Sequence, residues 1–258
     1  MIKILFMGRK LVSANCLRFL FSLKNVDIVG VLTDSHLEGS ATAKVANELG
    51  LELLDFELAL SRMKAGRLNF DLGVSVLYWR KLREEFLDLP RLGVVNFHPA
   101  PLPEYKGTAG YNLAILEAKK EWAVTAHYVD SEIDTGAIIE KVEFPIDKMR
   151  ETAVSLEQVS MIHLEYLVKK VSQEIIEKNG FLDTVPNIGG RYVSRSEMEL
   201  MKEIRPGDDI DRKIRAFWFP PYDGAFQVIN GKKYTLVNRE ILESLAPKHT
   251  TSLFVSEI

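Results

Sequence analysis

Apolar and amphipathic segments alternate along the N-terminal part of the chain. Short apolar runs rich in β-branched residues, typical of buried strands, cover residues 2–7, 27–33, 70–78 and 93–97. Between them, residues 11–23 and 41–49 have the apolar spacing of helices, and Gly50 is placed to end the second. Strands that alternate with helices predict an α/β fold with a Rossmann-like, doubly wound and mostly parallel sheet.

Two further helices are predicted beyond this region. Residues 108–118 read as a short helix that follows a polar loop. Residues 151–179 form the longest amphipathic stretch, and Gly180 is its expected end. His163 lies within this helix, and we interpret it as structural because no other chemical group accompanies it.

Proline and glycine become frequent after residue 181. Residues 183–195 therefore read as an extended connector, and a short helix is predicted over 208–217. The dipeptide Asn230-Gly231 is a strong hairpin signal. The two strands that it joins are expected at residues 226–229 and 234–237.

Length and composition limit the class of protein. The 258 residues are enough for a large domain, expected over 1–190, and a small C-terminal region over 191–258 with a β appendage. The net charge of −3 argues against general nucleic-acid binding. A single cysteine, Cys16, excludes an intramolecular disulfide and is expected in the core. With no long apolar segment, we expect a cytoplasmic protein without a membrane anchor.

Residues 93–107 change from an apolar strand to a rigid polar loop. Because side chains alternate along a strand, Asn96 and His98 face one side and Phe97 the other. Pro99 cannot donate to a neighbouring strand, so pairing is expected to end there. An amide and an imidazole are then held at the carboxyl end of a strand, where open α/β sheets bind ligands. Taken alone, such a pair is more typical of a packing histidine and a turn asparagine.

Residues 124–139 are predicted to form a strand, an acidic loop and a second strand. A carboxylate at the tip of this loop is able to orient an imidazole. His127 lies in the first strand, where we slightly favour a core role over a functional one. Asp130 fits either a plain turn or a ligand contact.

The two stretches together resemble the folate-dependent formyltransferase family. That family includes methionyl-tRNA formyltransferase, glycinamide ribonucleotide transformylase and the sugar N-formyltransferases. The resemblance covers roughly residues 1–225 and rests on Asn96-x-His98-Pro99, Leu102-Pro103-x-Tyr105-Lys106-Gly107 and Asp130…Asp134-Thr135-Gly136. Many members have Ser-Leu-Leu-Pro after His-Pro, where this chain has Ala100-Pro101-Leu102-Pro103, so the loop is altered but no chemical group is lost.

The resemblance implies formyl transfer from 10-formyltetrahydrofolate to a primary amine. It places the family's catalytic trio at Asn96, His98 and Asp134. Asn96 is then the donor to the tetrahedral oxyanion, His98 the general base, and Asp134 the group that orients His98. The motifs lack the spacing of metal ligands, so we expect no metal.

The formyl donor is expected to bind the loop after the third predicted strand. Large aromatic side chains at a strand end suit a flat heterocycle, although packing against the next helix would also explain them. In the family this loop flanks the folate pterin, largely through main-chain atoms. The residues assigned to the donor are Leu77, Tyr78, Trp79, Asp130 and Ile133.

A second ligand group is expected after the first strand, at Gly8-Arg9-Lys10. These residues do not match the dinucleotide fingerprint Gly-x-Gly-x-x-Gly. A strand, a glycine and a helix start nevertheless form an anion site, although a solvated basic turn is an equally good explanation. The sugar-modifying members bind a nucleotide diphosphate near this end, which favours phosphate contact. The other substrate contacts assigned are Lys106, Gly107 and Tyr222.

The identity of the amine is inferred from length and from an aromatic, proline-rich segment. Residues 217–225 resemble a segment of the transfer-RNA and sugar formyltransferases, and the chain is too short for the full C-terminal domain of the former. We therefore expect a nucleotide-linked amino-deoxysugar as substrate, for surface polysaccharide, and a homodimer as the family often forms. Alternatives are methionyl-tRNA formyltransferase with a reduced C-terminus, a formyltetrahydrofolate deformylase, or a non-catalytic nucleotide or folate sensor.

Overall fold

The computed structural model describes residues 1–147 and 149–245 of the chain. Its strands are β1 (Ile2–Gly8), β2 (Val26–Leu32), β3 (Leu53–Leu54), β4 (Leu72–Val76), β5 (Val94–His98), β6 (Tyr105–Gly107), β7 (Glu121–Tyr128), β8 (Ile138–Pro145), β9 (Arg191–Val193), β10 (Phe226–Ile229) and β11 (Lys232–Thr235). A central sheet of seven strands has the order β3-β2-β1-β4-β5-β7-β8. Separately, β6 pairs with β9, and β10 pairs with β11.

The central sheet is parallel from β3 to β5, and antiparallel pairing adds β7 and β8 at one edge. The predicted Rossmann-like, mostly parallel α/β fold is confirmed. Because the chain returns to the middle of the sheet after β3, β1 and β4 are neighbours where the strand order reverses. Ligands bind outside the carboxyl ends of the strands at such a point.

Helices connect and cover the strands. They are α1 (Lys10–Ser22), α2 (Ala41–Glu48), α3 (Phe56–Lys64), α4 (Glu84–Asp88), α5 (Gly110–Leu116), α6 (Ala153–Lys178), α7 (Arg195–Leu200), α8 (Ile210–Phe217) and α9 (Arg239–Ser244). A capping box formed by Thr152 and Ser155 begins α6. The predicted end at Gly180 was one residue late, because Asn179 adopts the left-handed cap with φ of 49°.

The sheet has a hydrophobic core on each face. The larger core lies under α1 and α6 and contains Val95 and Phe97. The smaller core lies around α3 and α4 and contains Val94 and Phe86. Alternation along β5 therefore gives its odd-numbered side chains to the larger core and turns Asn96 to the opposite face, as predicted.

The C-terminal hairpin is confirmed, with one shifted strand. Asn230 and Gly231 both adopt positive φ, 50° and 77°, as a two-residue hairpin turn requires. Since the strand resumes directly after this turn, β11 begins at Lys232 and not at residue 234. The boundary at residue 190 stays a prediction, and residues 246–258 of the predicted C-terminal region lie outside the described residues.

Candidate active site

The carboxyl ends of β1, β4 and β5 lie side by side. Gly8 of β1 is opposite Val76 of β4, and Val76 is opposite Phe97 of β5. The basic turn after β1, the aromatic loop after β4 and the proline-rich loop after β5, all singled out in the sequence, therefore lie next to each other. The first two loops are joined directly, because Arg9 Nε donates to the Leu77 carbonyl at 3.1 Å.

The loop after β5 is held in place by side chains of β7. Trp122 Nε1 donates to the Pro99 carbonyl at 3.1 Å, and Thr125 Oγ1 donates to the Ala100 carbonyl at 2.8 Å. The same hydroxyl accepts the Leu102 N–H at 3.1 Å. The loop is therefore anchored through its main-chain groups, and these contacts do not depend on its own side chains.

His98 ends β5 and is buried, with 6% of its surface exposed. Its Nε2 lies 2.8 Å from the Tyr105 carbonyl, which only accepts, so Nε2 carries a proton. Its Nδ1 lies 3.5 Å from Asp134 Oδ2. Burial lowers the pKa of His98 below its ordinary value, and the charge of Asp134 opposes this without reversing it. A neutral His98 thus has its basic lone pair on Nδ1.

Asp134 is nearly buried and ionised. Burial alone would raise the pKa of its carboxyl, but His98, when protonated, and the Gly107 N–H stabilise the charged form and hold that pKa below its ordinary value. The Gly107 N–H donates to Oδ2 at 2.9 Å, so it stabilises the carboxylate even when His98 is neutral. The predicted partners His98 and Asp134 are therefore brought together in the ionisation states that base catalysis requires.

The backbone of the acidic loop is held by Asn187 from the connector. Asn187 Nδ2 donates to the Asp134 carbonyl at 3.0 Å and to the Gly136 carbonyl at 2.9 Å. Asp134 itself has φ of 57°, an uncommon backbone conformation for a residue other than glycine. A Cβ on Gly136 would lie 1.8 Å from the Tyr128 carbonyl, so only glycine fits there. Sequence analysis did not identify Asn187.

Asn96 is the centre of a hydrogen-bonded chain. Its Oδ1 accepts from Ser75 Oγ at 2.8 Å, and its Nδ2 lies 3.1 Å from His127 Nε2. His127 Nδ1 in turn lies 2.7 Å from the Tyr128 carbonyl. Asn96 forms no further hydrogen bond within the described residues, so one of its N–H groups is available to a ligand. Sequence analysis favoured a core role for His127; the structure buries it and places it against Asn96.

The predicted donor-binding loop after β4 has an unusual backbone. Leu77 has a positive φ of 58°, which turns the chain sharply at the end of the strand. Tyr78 is half-buried, and burial raises its pKa to about 12. Trp79 is 51% exposed, and the Arg80 guanidinium lies 4.7 Å from its ring centroid. An exposed aromatic surface thus stands beside β4.

Asp130 and Ile133 occupy the acidic loop. Asp130 Oδ1 accepts from the Glu132 N–H at 3.1 Å and from Thr135 Oγ1 at 2.6 Å. These contacts are those of a turn residue that shapes its own loop. Ile133 is 42% exposed and offers an apolar contact. Their assignment to the formyl donor stays a prediction.

Two of the predicted substrate residues belong to a row of two aromatic rings with a cation at each end. Lys10 Nζ lies 5.7 Å from the Phe219 ring centroid and forms an ion pair with Glu157. Phe219 and Tyr222 have ring centroids 6.1 Å apart, and the Arg195 guanidinium lies 6.0 Å from the Tyr222 ring. We call Lys10, Phe219, Tyr222 and Arg195 the cation–aromatic row. Sequence analysis identified Lys10 and Tyr222 of this row but neither Phe219 nor Arg195 as a contact.

Lys106 and Gly107 lie where the connector meets the loop after β5. Lys106 Nζ donates to the Gly189 carbonyl at 2.7 Å. Gly107 has φ of 85°, and a Cβ there would lie 2.4 Å from the Val193 carbonyl, so the fold itself requires glycine. Both residues have structural contacts, and their role toward substrate stays a prediction.

Other chemically active side chains lie apart from this site. The Cys16 thiol is buried, and burial raises its pKa, which makes it unreactive. His163 stacks on Phe144 with ring centroids 4.2 Å apart. Over residues 1–147 and 149–245, no cluster of three or more His, Cys, Asp or Glu side chains is arranged to hold a metal ion, and none of the helices is long and apolar enough to cross a membrane.

Comparison with known proteins identifies the family. A sequence model described as "Formyl transferase" matches residues 23–168, which include both motifs and Asn96, His98 and Asp134. The chain belongs to the formyl transferase family. The resemblance inferred from the two motifs is therefore confirmed. Its sequence as well as its fold identifies this protein as an enzyme of that family.

Individual relatives of this formyl transferase include two kinds of enzyme. It is 28% identical to the GDP-perosamine N-formyltransferase of Brucella melitensis, over 94% of this chain and 95% of that protein. It is 27% identical to the methionyl-tRNA formyltransferase of Listeria innocua, over 92% of this chain and 78% of that protein.

A solved structure shares both the fold and part of the sequence. The N-formyltransferase of Helicobacter canadensis, in complex with folinic acid and dTDP-3-aminofucose, superposes with a TM-score of 0.71 at 26% identity. The match covers 90% of this chain and 86% of that one.

Proposed function

We propose that this formyl transferase moves the formyl group of 10-formyltetrahydrofolate to the amino group of a nucleotide-linked amino-deoxysugar. The substrate is of the GDP- or dTDP-4-amino-4,6-dideoxysugar type, and the product serves surface polysaccharide biosynthesis. The observation that carries the proposal is the meeting of three groups at the end of β5. They are the available amide N–H of Asn96, the neutral imidazole of His98 and the ionised carboxylate of Asp134.

Asn96 is the oxyanion donor in this reaction. The amine nitrogen adds to the carbonyl carbon of the formyl donor and gives a tetrahedral oxyanion. This intermediate collapses as its C–N bond to folate breaks, and the folate nitrogen leaves with the proton that His98 has taken from the amine. The N–H of Asn96 that lacks a partner stabilises the negative oxygen of the transition state. Removing one such donor raises the barrier by about 3–4 kcal/mol.

His98 is the general base and accepts the amine proton at Nδ1. Its other nitrogen is occupied, because Nε2 donates to the Tyr105 carbonyl. The imidazolium that forms then lies beside Asp134 Oδ2, at 3.5 Å in this structure, and the two opposite charges attract each other. A positioned base of this kind contributes roughly 100- to 10,000-fold in rate.

The cation–aromatic row supports a nucleotide-linked substrate. Lys10 and Arg195 offer cations to a diphosphate, and Phe219 and Tyr222 offer faces on which a base or sugar stacks. The main-chain N–H groups that begin α1 lie in the same place, and no acidic side chain occupies its first turn. In this proposal Lys10 exchanges Glu157 for phosphate when substrate binds.

The relatives' names support this substrate class and also favour one competitor. The Brucella melitensis and Helicobacter canadensis proteins are a GDP-perosamine enzyme and an enzyme bound to dTDP-3-aminofucose. The Listeria innocua relative, a methionyl-tRNA formyltransferase at nearly equal identity, makes charged transfer RNA the second candidate.

A direct assay separates the candidates. The protein is incubated with 10-formyltetrahydrofolate and, in parallel, with GDP- and dTDP-linked 3- and 4-aminosugars, with methionyl-tRNA, or with no amine. We expect one aminosugar nucleotide to gain the mass of one formyl group. Formylation of methionyl-tRNA alone would replace the proposal, release of formate without an amine would indicate hydrolysis, and folate binding without turnover would indicate a sensor.

The homodimer and the cytoplasmic location expected from the sequence remain part of the proposal. Sedimentation equilibrium and cell fractionation test them directly. A monomer at micromolar concentration, or recovery with the membrane fraction, would contradict them.

A further inference from the structure

His127 is a buried imidazole with a defined hydrogen-bond partner on each nitrogen. It is 2% exposed. Nδ1 lies 2.7 Å from the Tyr128 carbonyl, and because a carbonyl only accepts, Nδ1 carries the proton. In the neutral ring Nε2 then has only a lone pair to offer, and it faces Asn96 Nδ2 at 3.1 Å.

This lone pair selects one of the two orientations of the Asn96 amide. Ser75, the other partner, is a hydroxyl, which pairs equally well with an amide oxygen or an amide nitrogen. Rotating the amide by 180° would place its oxygen against the His127 lone pair, and two acceptors repel each other. His127 therefore fixes the Asn96 amide with its nitrogen toward the imidazole. One N–H of that nitrogen pairs with His127, and the other stays available to a ligand oxygen.

The sheet sets the distance between the two side chains. Asn96 of β5 and His127 of β7 are directly opposite each other in the antiparallel pair. Asp134 Oδ1 lies 3.7 Å from His127 Nε2, beyond hydrogen-bond distance. The imidazole is thus fixed by two strands and faces the reacting centre through Asn96.

We propose that His127 is a positioning residue for formyl transfer, a hydrogen-bond acceptor that holds the Asn96 amide in the orientation needed to donate to the oxyanion. This inference rests on the proposed reaction. It assigns His127 no contact with substrate, so its effect passes entirely through Asn96.

Substitution of His127 tests the proposal when the acceptor is removed and then restored. His127→Leu keeps an apolar group of similar size without an acceptor, while the carboxamide oxygen of His127→Gln is able to replace Nε2. We expect His127→Leu to lower kcat about 10- to 100-fold, with the KM values of both substrates and the Tm nearly unchanged, and His127→Gln to recover roughly half or more of the wild-type kcat. Full kcat in the leucine variant, or equal loss in both variants, would overturn the proposal.

A double-mutant cycle with Asn96 distinguishes positioning from general packing. In an Asn96→Ala background the leucine substitution is expected to cost no further activity, because the group it positions is gone. If the two losses multiply instead, His127 acts independently of Asn96 and the proposal is wrong.

A spectroscopic measurement tests the hydrogen-bond assignment without any substrate. Long-range ¹H–¹⁵N spectra of the uniformly labelled wild-type protein, with the His127 signals assigned by their loss in His127→Gln, report which nitrogen is protonated. We expect the Nδ1–H tautomer. The Nε2–H tautomer would overturn the inference, whereas absence of any aminosugar turnover in the wild type would overturn the proposed function alone.

Discussion

Two opposing influences act on the pKa of His98, and both fit its proposed role as general base. Burial lowers its pKa and keeps it neutral, while the carboxylate of Asp134 makes protonation at Nδ1 less costly. A base needs both properties, because it must be free to accept a proton and must hold it once it is transferred.

Replacing His98 by alanine should abolish most turnover. We expect His98→Ala to lower kcat by about 100- to 10,000-fold, since the amine proton loses its acceptor. Binding of folinic acid, measured by calorimetry, should stay nearly unchanged. His163→Ala is the matched control, because that imidazole stacks on Phe144 in another part of the molecule. A variant at position 98 with more than a tenth of the wild-type kcat would contradict the assignment.

Replacing Asp134 by asparagine should move the acid limb of the rate profile. In the wild type we expect kcat to fall as the pH drops through the pKa of His98, which burial holds below its ordinary value. Because Asp134 opposes that lowering, its loss lowers the pKa further, and the acid limb moves to lower pH. The plateau value of kcat should also fall, by at least about tenfold, as the imidazolium loses its partner.

The control for this pH profile is another carboxylate of the same loop. Asp130 accepts from the Glu132 N–H and the Thr135 hydroxyl and lies outside the contacts of His98. Asp130→Asn should therefore leave the midpoint of the acid limb in place. An Asp134→Asn midpoint that stays put or moves to higher pH would show that the carboxylate does not act on His98.

The acidic loop between β7 and β8 depends on a segment distant in sequence. Asn187 bridges the carbonyls of Asp134 and Gly136 with one amide nitrogen. Its Oδ1 is buried without a hydrogen-bond partner among the described residues. The connector thus holds the backbone of the loop that carries Asp134, the carboxylate proposed to act on His98.

Substituting Asn187 should impair catalysis without touching any reacting group. We expect Asn187→Ala to lower kcat about tenfold and the free energy of unfolding by about 1–3 kcal/mol, because two buried carbonyls lose their donor. Urea unfolding and steady-state kinetics measure the two effects. Asn69→Ala is the control, since that exposed asparagine donates only to the Gly66 carbonyl. Unchanged kcat would show that the loop keeps its position without Asn187.

For the whole molecule, the order of strands decides how the ligand regions meet. The chain forms β1 to β3 on one side of the sheet and returns to add β4 and β5 on the other. The basic turn after β1 therefore lies beside the aromatic loop after β4, and Arg9 bonds the two through the Leu77 carbonyl. Arg9 substitutions are therefore expected to disturb both proposed ligand regions, whereas substitutions in the cation–aromatic row are expected to affect only the substrate side.

The row should control affinity for the nucleotide-linked substrate. Lys10→Ala and Arg195→Ala should each raise the KM for the aminosugar nucleotide about 10- to 100-fold, since each removes a charge-assisted contact to phosphate, while the KM for the formyl donor stays the same. Arg239→Ala, which removes an exposed arginine of α9 paired with Glu243, is the matched control. Equal increases in both KM values would place the row outside the substrate site.

Local sequence patterns predicted much of the fold and part of the candidate site. The period of a strand placed Asn96 and His98 on one face, Pro99 ended the strand, and Asn230-Gly231 formed the hairpin turn, because each follows from backbone geometry within a few residues. The short elements β3, α3, α4, β6, β9, α7 and α9 went without a prediction, since few residues give a weak periodic signal.

The sequence by itself determined which chemical groups are present and which of them share a strand face, since alternation and turn formation are properties of the local chain. Only the tertiary structure decided that His127 lies opposite Asn96, that Asn187 holds the loop of Asp134, and that Arg195 extends the row begun by Lys10. Strand register and loop packing bring these groups together, and they depend on contacts between distant segments that no local pattern encodes.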